Sequence, residues 1–121
     1  PVIRYADVLL IYAEANNELE GKSDLAHEYI NKVRKRARFD GTTYQNAVPD
    51  YAGLTKDQFR DAILAERKLE FVAEGQRWFD LVRMNKLTAE VPKAKPGVTP
   101  GPEQVLFPIP QREVDLNPNL K

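Results

Sequence analysis

Apolar positions in residues 4–20 (RYADVLLIYAEANNELE) recur at helical spacing. Tyr5, Val8, Leu9, Tyr12, Ala15 and Leu19 share one side, and Leu10 and Ile11 carry the apolar surface further around the cylinder. Asp7, Glu14 and Glu18 occupy the remaining strip. Such broad apolar coverage predicts a central helix contacted on two or more sides. Gly21 is placed to cap its C-terminus. Ser23 then caps a second helix, with Asp24 in the first turn favourable to the dipole, and Leu25, Tyr29, Ile30, Val33 and Ala37 form its stripe. So short a connection makes residues 1–38 an antiparallel helical hairpin. Residues 39–54 mix Gly, Thr, Asn, Pro and Asp without a sustained period and read as a long loop.

The third helix starts clearly. Thr55 and Gln58 form a capping box, and Leu54 can staple onto Phe59 across it. The helix is expected to run to Glu74, with Gly75 as the break and a fourth helix from Arg77 to Lys86, so that residues 55–87 make a second helical pair. Its apolar face reads Phe59, Ala62, Ile63, Leu69 and Ala73, and Glu66 and Glu70 fall in the middle of that face. A buried carboxylate needs a cation or several hydrogen bonds. Arg77 and Arg4 are the expected partners, which predicts a structural charge network of Arg4, Glu66, Glu70 and Arg77.

Residues 88–121 break the helical pattern. Val91 to Pro102 (VPKAKPGVTPGP) is expected to be neither helix nor central strand but a stiff extended linker. Leu106, Phe107 and Ile109, set between prolines, suit an extended arm laid on the helices. The pattern as a whole predicts a single all-α domain over 1–121. Its helical hairpins are of the tetratricopeptide type (an α-solenoid), with a long inter-helix loop and a Pro-rich C-terminal arm.

Composition narrows the function classes. The formal net charge is zero, so no global field draws the chain to nucleic acid or anionic lipid. There is no Cys, which removes disulfides, thiolate nucleophiles and Cys-ligated metals. No apolar run is long enough to span a bilayer and no signal peptide is visible. The opening Pro1-Val2-Ile3 leads straight into a strong helix, which suggests a fragment of something longer.

Several residues invite a chemical reading, and each has a plainer one. Glu66 and Glu70 at i, i+4 could serve as a glycosidase acid and base, but a predicted core face has no room for a sugar, so structural ion pairs are the better reading. His27, the only His, falls on the polar side of its helix without companion ligands and is expected at the surface. Ser23 is the only Ser and is better used as a cap than as a nucleophile. The run Lys32, Arg34, Lys35, Arg36, Arg38 reads as a solvated face at a helix C-terminus rather than a nucleic-acid patch. Trp78, Leu81 and Val82 align as core. Tyr44 and Tyr51, in the long loop, are the candidate ligand contacts, since an amphipathic ring exposed on a loop can stack on a sugar. No metal site, cofactor motif or catalytic residue is assigned.

Three blocks then carry a resemblance. RYADVLLIYAEA at 4–15, ERKLEFVAEGQRWFDLVR at 66–83 and LFPIPQREVDLNPNL at 106–120 resemble, in order, the C-terminal part of SusD/RagB nutrient-binding proteins. The resemblance implies a non-enzymatic lipoprotein of the outer membrane, exposed at the cell surface. It would bind an oligosaccharide, or a peptide, and pass it to a TonB-dependent (SusC-like) transporter. It also implies a tetratricopeptide-like scaffold. The chain departs from the family pattern at Gln76, where His is common, and lacks the lipid-modified N-terminal Cys. The family's ligand residues lie largely outside these blocks, so this segment is expected to supply mainly scaffold. The competing reading is a helical-repeat protein-interaction module with no small-molecule ligand of its own. The wide apolar surface of the first helix further predicts self-association or contact with absent segments.

Overall fold

The computed structural model of the protein describes residues 3–120. Pro1 and Val2 of the predicted abrupt opening, and Lys121 at the other end, lie outside the described residues. The described chain is all-α, in two compact units, Pro1–Gly75 and Gln76–Lys121.

The first unit holds α1 (Tyr5–Glu20), α2 (Asp24–Ala37) and α3 (Lys56–Glu70). Gly21 ends α1 at φ 79°, and its N–H donates to the Asn17 carbonyl at 2.9 Å. A side chain there would be strained, which is why Gly serves. The Ser23 hydroxyl accepts from the Ala26 N–H at 3.2 Å and starts α2 as its cap. With only Gly21–Ser23 between them, α1 and α2 pack as an antiparallel hairpin. At α3 the Thr55–Gln58 capping box forms in both directions. The core draws Leu9, Leu10 and Ala13 from α1, Ala26, Ile30 and Val33 from α2, and Phe59, Ala62 and Ile63 from α3.

The face that each helix buries differs from the expected stripe. On α1 the interior side is Ala6, Asp7, Leu9, Leu10, Ala13 and Asn17, while Tyr5, Val8, Tyr12, Ala15 and Leu19 point outward. Small Ala6 and Ala13 let the neighbouring helices approach closely, and Asn17 bridges to the start of α3 by donating to the Lys56 carbonyl at 3.1 Å. On α2, Ala26, His27 and Arg34 are buried where Leu25 and Ala37 were expected. Leu69 of α3 and Ala73 beyond its end are exposed. The helix also stops at Glu70, short of Glu74, and the turn that follows contains Ala73 at φ 63° and Gly75 at φ 77°.

The second unit holds α4 (Arg77–Arg83), α5 (Leu87–Ala94) and α6 (Gln111–Leu116), with single 3-10 turns at Pro102–Val105 and Pro118–Leu120. The fourth helix closes three residues before the expected Lys86, and Asn85 follows it at φ 54°. Val91–Ala94, expected to be non-helical, instead completes α5. Pro92 lies near the end of this helix, where its missing N–H forfeits one bond and the chain leaves the helix soon after. Leu106 and Pro110 have the extended backbone expected of the arm, but Gln111–Leu116 turns helical.

Candidate functional site

Glu66 and Glu70 sit on the inner side of α3, and each meets arginine. Glu66 is 5% exposed, and its Oε2 accepts from Arg34 Nη1 at 2.5 Å. Glu70 Oε1 accepts from Arg4 Nη1 at 2.9 Å, and Arg36 donates to both of its oxygens at 2.6 and 2.7 Å. Arg4 also grips Glu74 through Nε and Nη2, at 3.0 and 2.7 Å, and donates to the Glu70 carbonyl at 2.9 Å. These carboxylates hold the Arg4 guanidinium well above its ordinary range, Glu74 contributing most and Glu70 next. A third pair links Arg67 of α3 to Asp7 of α1 at 2.7 Å, with both side chains shielded from water. Phe71 packs with the guanidinium groups of Arg4 and Arg67, 5.0 and 4.9 Å from its ring centre.

Of the four residues expected in one network, Arg4 and Glu70 meet directly, whereas the cation on Glu66 is Arg34. Arg77 lies in the second unit, 3.9 Å from Glu90. Arg34 belongs to the run expected to form a solvated basic face. That expectation fails for Arg34, which follows Ile30 by four positions and so shares its buried row, and for Arg38, whose side chain is largely shielded and donates to Asp50 at 2.6 Å. His27 is corrected in the same way. It is buried, Nδ1 lies 2.8 Å from the Ser23 carbonyl, and Nε2 accepts from the Leu54 N–H at 3.2 Å. A carbonyl can only accept and an amide N–H can only donate, so Nδ1 serves as the donor and Nε2 as the acceptor. Spacing along α2 could have flagged His27 and Arg34, since 23, 26, 27, 30, 33 and 34 form one face. The Asp7–Arg67 pair joins residues far apart in the chain and left no local signal.

The loop after α2 is tethered. Asn31 donates to the Tyr51 carbonyl at 2.8 Å and accepts from the Tyr51 N–H at 2.9 Å, as a neighbouring strand would. Arg34 donates to the Pro49 carbonyl at 2.7 and 3.0 Å. Asp40 accepts from the N–H groups of Thr42 and Thr43 and from Gln45. Those donors, Thr43 first, lower its carboxyl to about 2. Of the two candidate tyrosines, Tyr44 is 60% exposed, 5.1 Å from Phe39 ring to ring, with Lys35 over it at 5.3 Å. Tyr51 is half-buried, and Arg34 covers its ring at 3.9 Å.

A groove of about 480 Å³ opens between α1 and α2, with a floor of Ala6, Leu9 and Val33 and a rim of Arg4, Tyr5, Lys32 and Arg36. Among the described residues no cluster of His, Asp or Glu could hold a metal, and no helix is long and apolar enough to cross a membrane.

Comparison with known proteins places this arrangement. Over residues 1–121 the chain matches the SusD family. It is 40% identical to SusD-like protein P38 of Formosa agariphila over 121 residues, which is 99% of this chain and 23% of that protein. It is likewise 40% identical to SusD-like protein P2 of the same organism, over 98% of this chain and 24% of that protein. The chain thus spans about a quarter of the length of the curated relatives it matches. No solved structure matches it. On the strength of a match running the whole length of the chain, this protein belongs to the SusD family.

Proposed function

We propose that this chain is the helical scaffold of a surface-exposed nutrient-binding lipoprotein. That protein would capture an oligosaccharide, or a peptide, and deliver it to a TonB-dependent transporter in the outer membrane. The observation that carries this reading is the full-length match to the SusD family, with 40% identity to two SusD-like proteins. The disposition of the acidic residues supports it. Glu66 is buried against Arg34, and Glu70 is held between Arg4 and Arg36, so neither carboxylate faces a cleft that could take a glycosidic bond. Binding without catalysis is the function proposed.

Ligand contact falls to the loop. Tyr44 offers an exposed ring for stacking on a sugar, backed by Phe39 and Lys35. Tyr51 has one contact already in place, from Arg34, and would contribute through its remaining edge. Titration calorimetry with a panel of oligosaccharides and peptides tests the proposal, using a polypeptide of the relatives' length that contains this chain. Saturable binding weakened by Tyr44→Ala is expected, with little or no binding by the isolated 121 residues. Binding to no member of the panel would overturn it. The exposed apolar side of α1 favours a second reading, a protein-interaction module without a small-molecule ligand. Persistent binding to a protein partner alongside a blank glycan and peptide panel would select that one.

A further inference from the structure

Among the described residues, no hydrogen bond joins the main chain of residues 46–54 to another main-chain group. Side chains of α2 take that place. His27, Asn31 and Arg34, with the cap residue Arg38, follow one another at steps of four, three and four, and so form a single row along the helix. His27 accepts from the Leu54 N–H, Asn31 bonds both main-chain groups of Tyr51, Arg34 donates to the Pro49 carbonyl, and Arg38 donates to the Asp50 carboxylate. The segment therefore runs antiparallel to α2. His27 to Arg38 rise about 16 Å along the helix axis, and the peptide steps from Pro49 to Leu54 reach about the same when extended.

Beneath this segment lies a buried ion pair. Arg34 donates to Glu66 on α3 through Nη1 and to Pro49 through Nε and Nη2, and the Tyr51 ring centre lies 3.9 Å from its guanidinium carbon. The two paired side chains are only 8% and 7% exposed. The first half of the loop is built differently. The Asp40 N–H donates to the Thr43 carbonyl at 3.1 Å and the Gln45 N–H to the Arg38 carbonyl at 2.9 Å, while the Asp40 carboxylate accepts from the N–H groups of Thr42 and Thr43. That turn closes on itself and on the end of α2 without help from residues 49–54.

We infer that residues 49–54 are a strap that opens and closes over the Arg34–Glu66 pair as one piece, hinged at residues 46–48 and independent of the turn at 39–45. The hydrogen bonds that hold the strap run to one row of α2, so losing the register at Tyr51 loosens its neighbours as well, whereas the turn keeps bonds of its own. A segment without main-chain pairing belongs to the parts of a fold that open below the global unfolding free energy. Opening withdraws the Pro49 acceptor and the Tyr51 ring from Arg34 and lets water reach the pair. The strap thus makes the polar contact between α2 and α3 conditional on the state of the loop.

Amide hydrogen exchange, followed residue by residue by NMR without urea and at low urea concentrations, tests this. The Tyr51 and Leu54 amides should exchange through one shared opening, well before the amides of buried Ile30 on α2 and Ile63 on α3. Asn31→Ala removes two bonds at the middle of the strap and should speed exchange at both Tyr51 and Leu54 by about tenfold or more, with Asp40 and Gln45 unchanged. Faster exchange at Tyr51 alone, at Asp40 and Gln45 as well, or at none of the four would overturn the proposal. So would wild-type Tyr51 and Leu54 amides that open only together with Ile30 and Ile63 in global unfolding. That last result is read on the unsubstituted protein and does not depend on whether the variant folds.

Discussion

Arg34 binds Glu66 on α3, the Pro49 carbonyl in the loop and the ring of Tyr51, all from one position on α2. Removing it leaves the buried Glu66 carboxylate without its cation and the half-buried Pro49 carbonyl without its donors. Arg34→Met should therefore cost about 3–5 kcal/mol, and Glu66→Leu a similar amount. The double variant Arg34→Met/Glu66→Leu should recover most of that loss, because replacing both members of a buried pair by apolar side chains removes the stranded charge. Urea denaturation of the four proteins measures the cycle. A strictly additive result would mean that the two residues do not act as a pair. Asp40 gives a second expectation at this scale. Its carboxyl is lowered from 3.8 to about 2 by donors that exist only in the folded loop. The stabilisation it provides is thus present above about pH 4 and is lost as pH falls toward 2. Stability profiles of the wild type and Asp40→Ala should accordingly converge at the acid end and separate above it.

Three element boundaries, the end of α1 and the starts of α2 and α3, follow from a few local residues and were legible in the sequence. Gly21, Ser23 and the Thr55–Gln58 box act within one turn of themselves, and each does in the structure what its neighbours in the chain predict. Ser23→Ala and Thr55→Ala should each cost about 1 kcal/mol, and the two should add, since they cap different helices. Thermal melts of the single and double variants check this. The face that each helix buries was less legible. α1 is apolar nearly all round, so periodicity admits either side, and the wider Tyr5–Leu19 stripe outweighs Ala6 and Ala13 on any hydrophobic scale. The structure buries the side that carries Leu9 and Leu10 together with Ala6 and Ala13, whose small side chains leave room for the neighbouring helices. Pro92 within α5 shows the opposite failure, a residue rule applied too strictly near a helix end.

At the scale of the molecule, the helical class and the hairpin were readable because helix propensity, caps and short connections agree. The partners of the buried charges were not. Arg4 with Glu70, Arg34 with Glu66 and Arg67 with Asp7 tie together the helices of the first unit, and no local period encodes such distant pairings. Of the candidate ligand contacts, the sequence places Tyr44 and Tyr51 on a loop, whereas only the folded chain shows that Arg34 already occupies one ring face of Tyr51.

The two compact units differ in their chromophores. All five tyrosines lie between Tyr5 and Tyr51, in the first unit, while the lone tryptophan, Trp78, sits 6.2 Å from Phe107 in the second. Emission excited selectively in the indole band therefore arises from the second unit only, whereas phenol emission, at shorter wavelength than that of indole, arises from the first. An unlabelled sample thus carries two optical thermometers, one for each part.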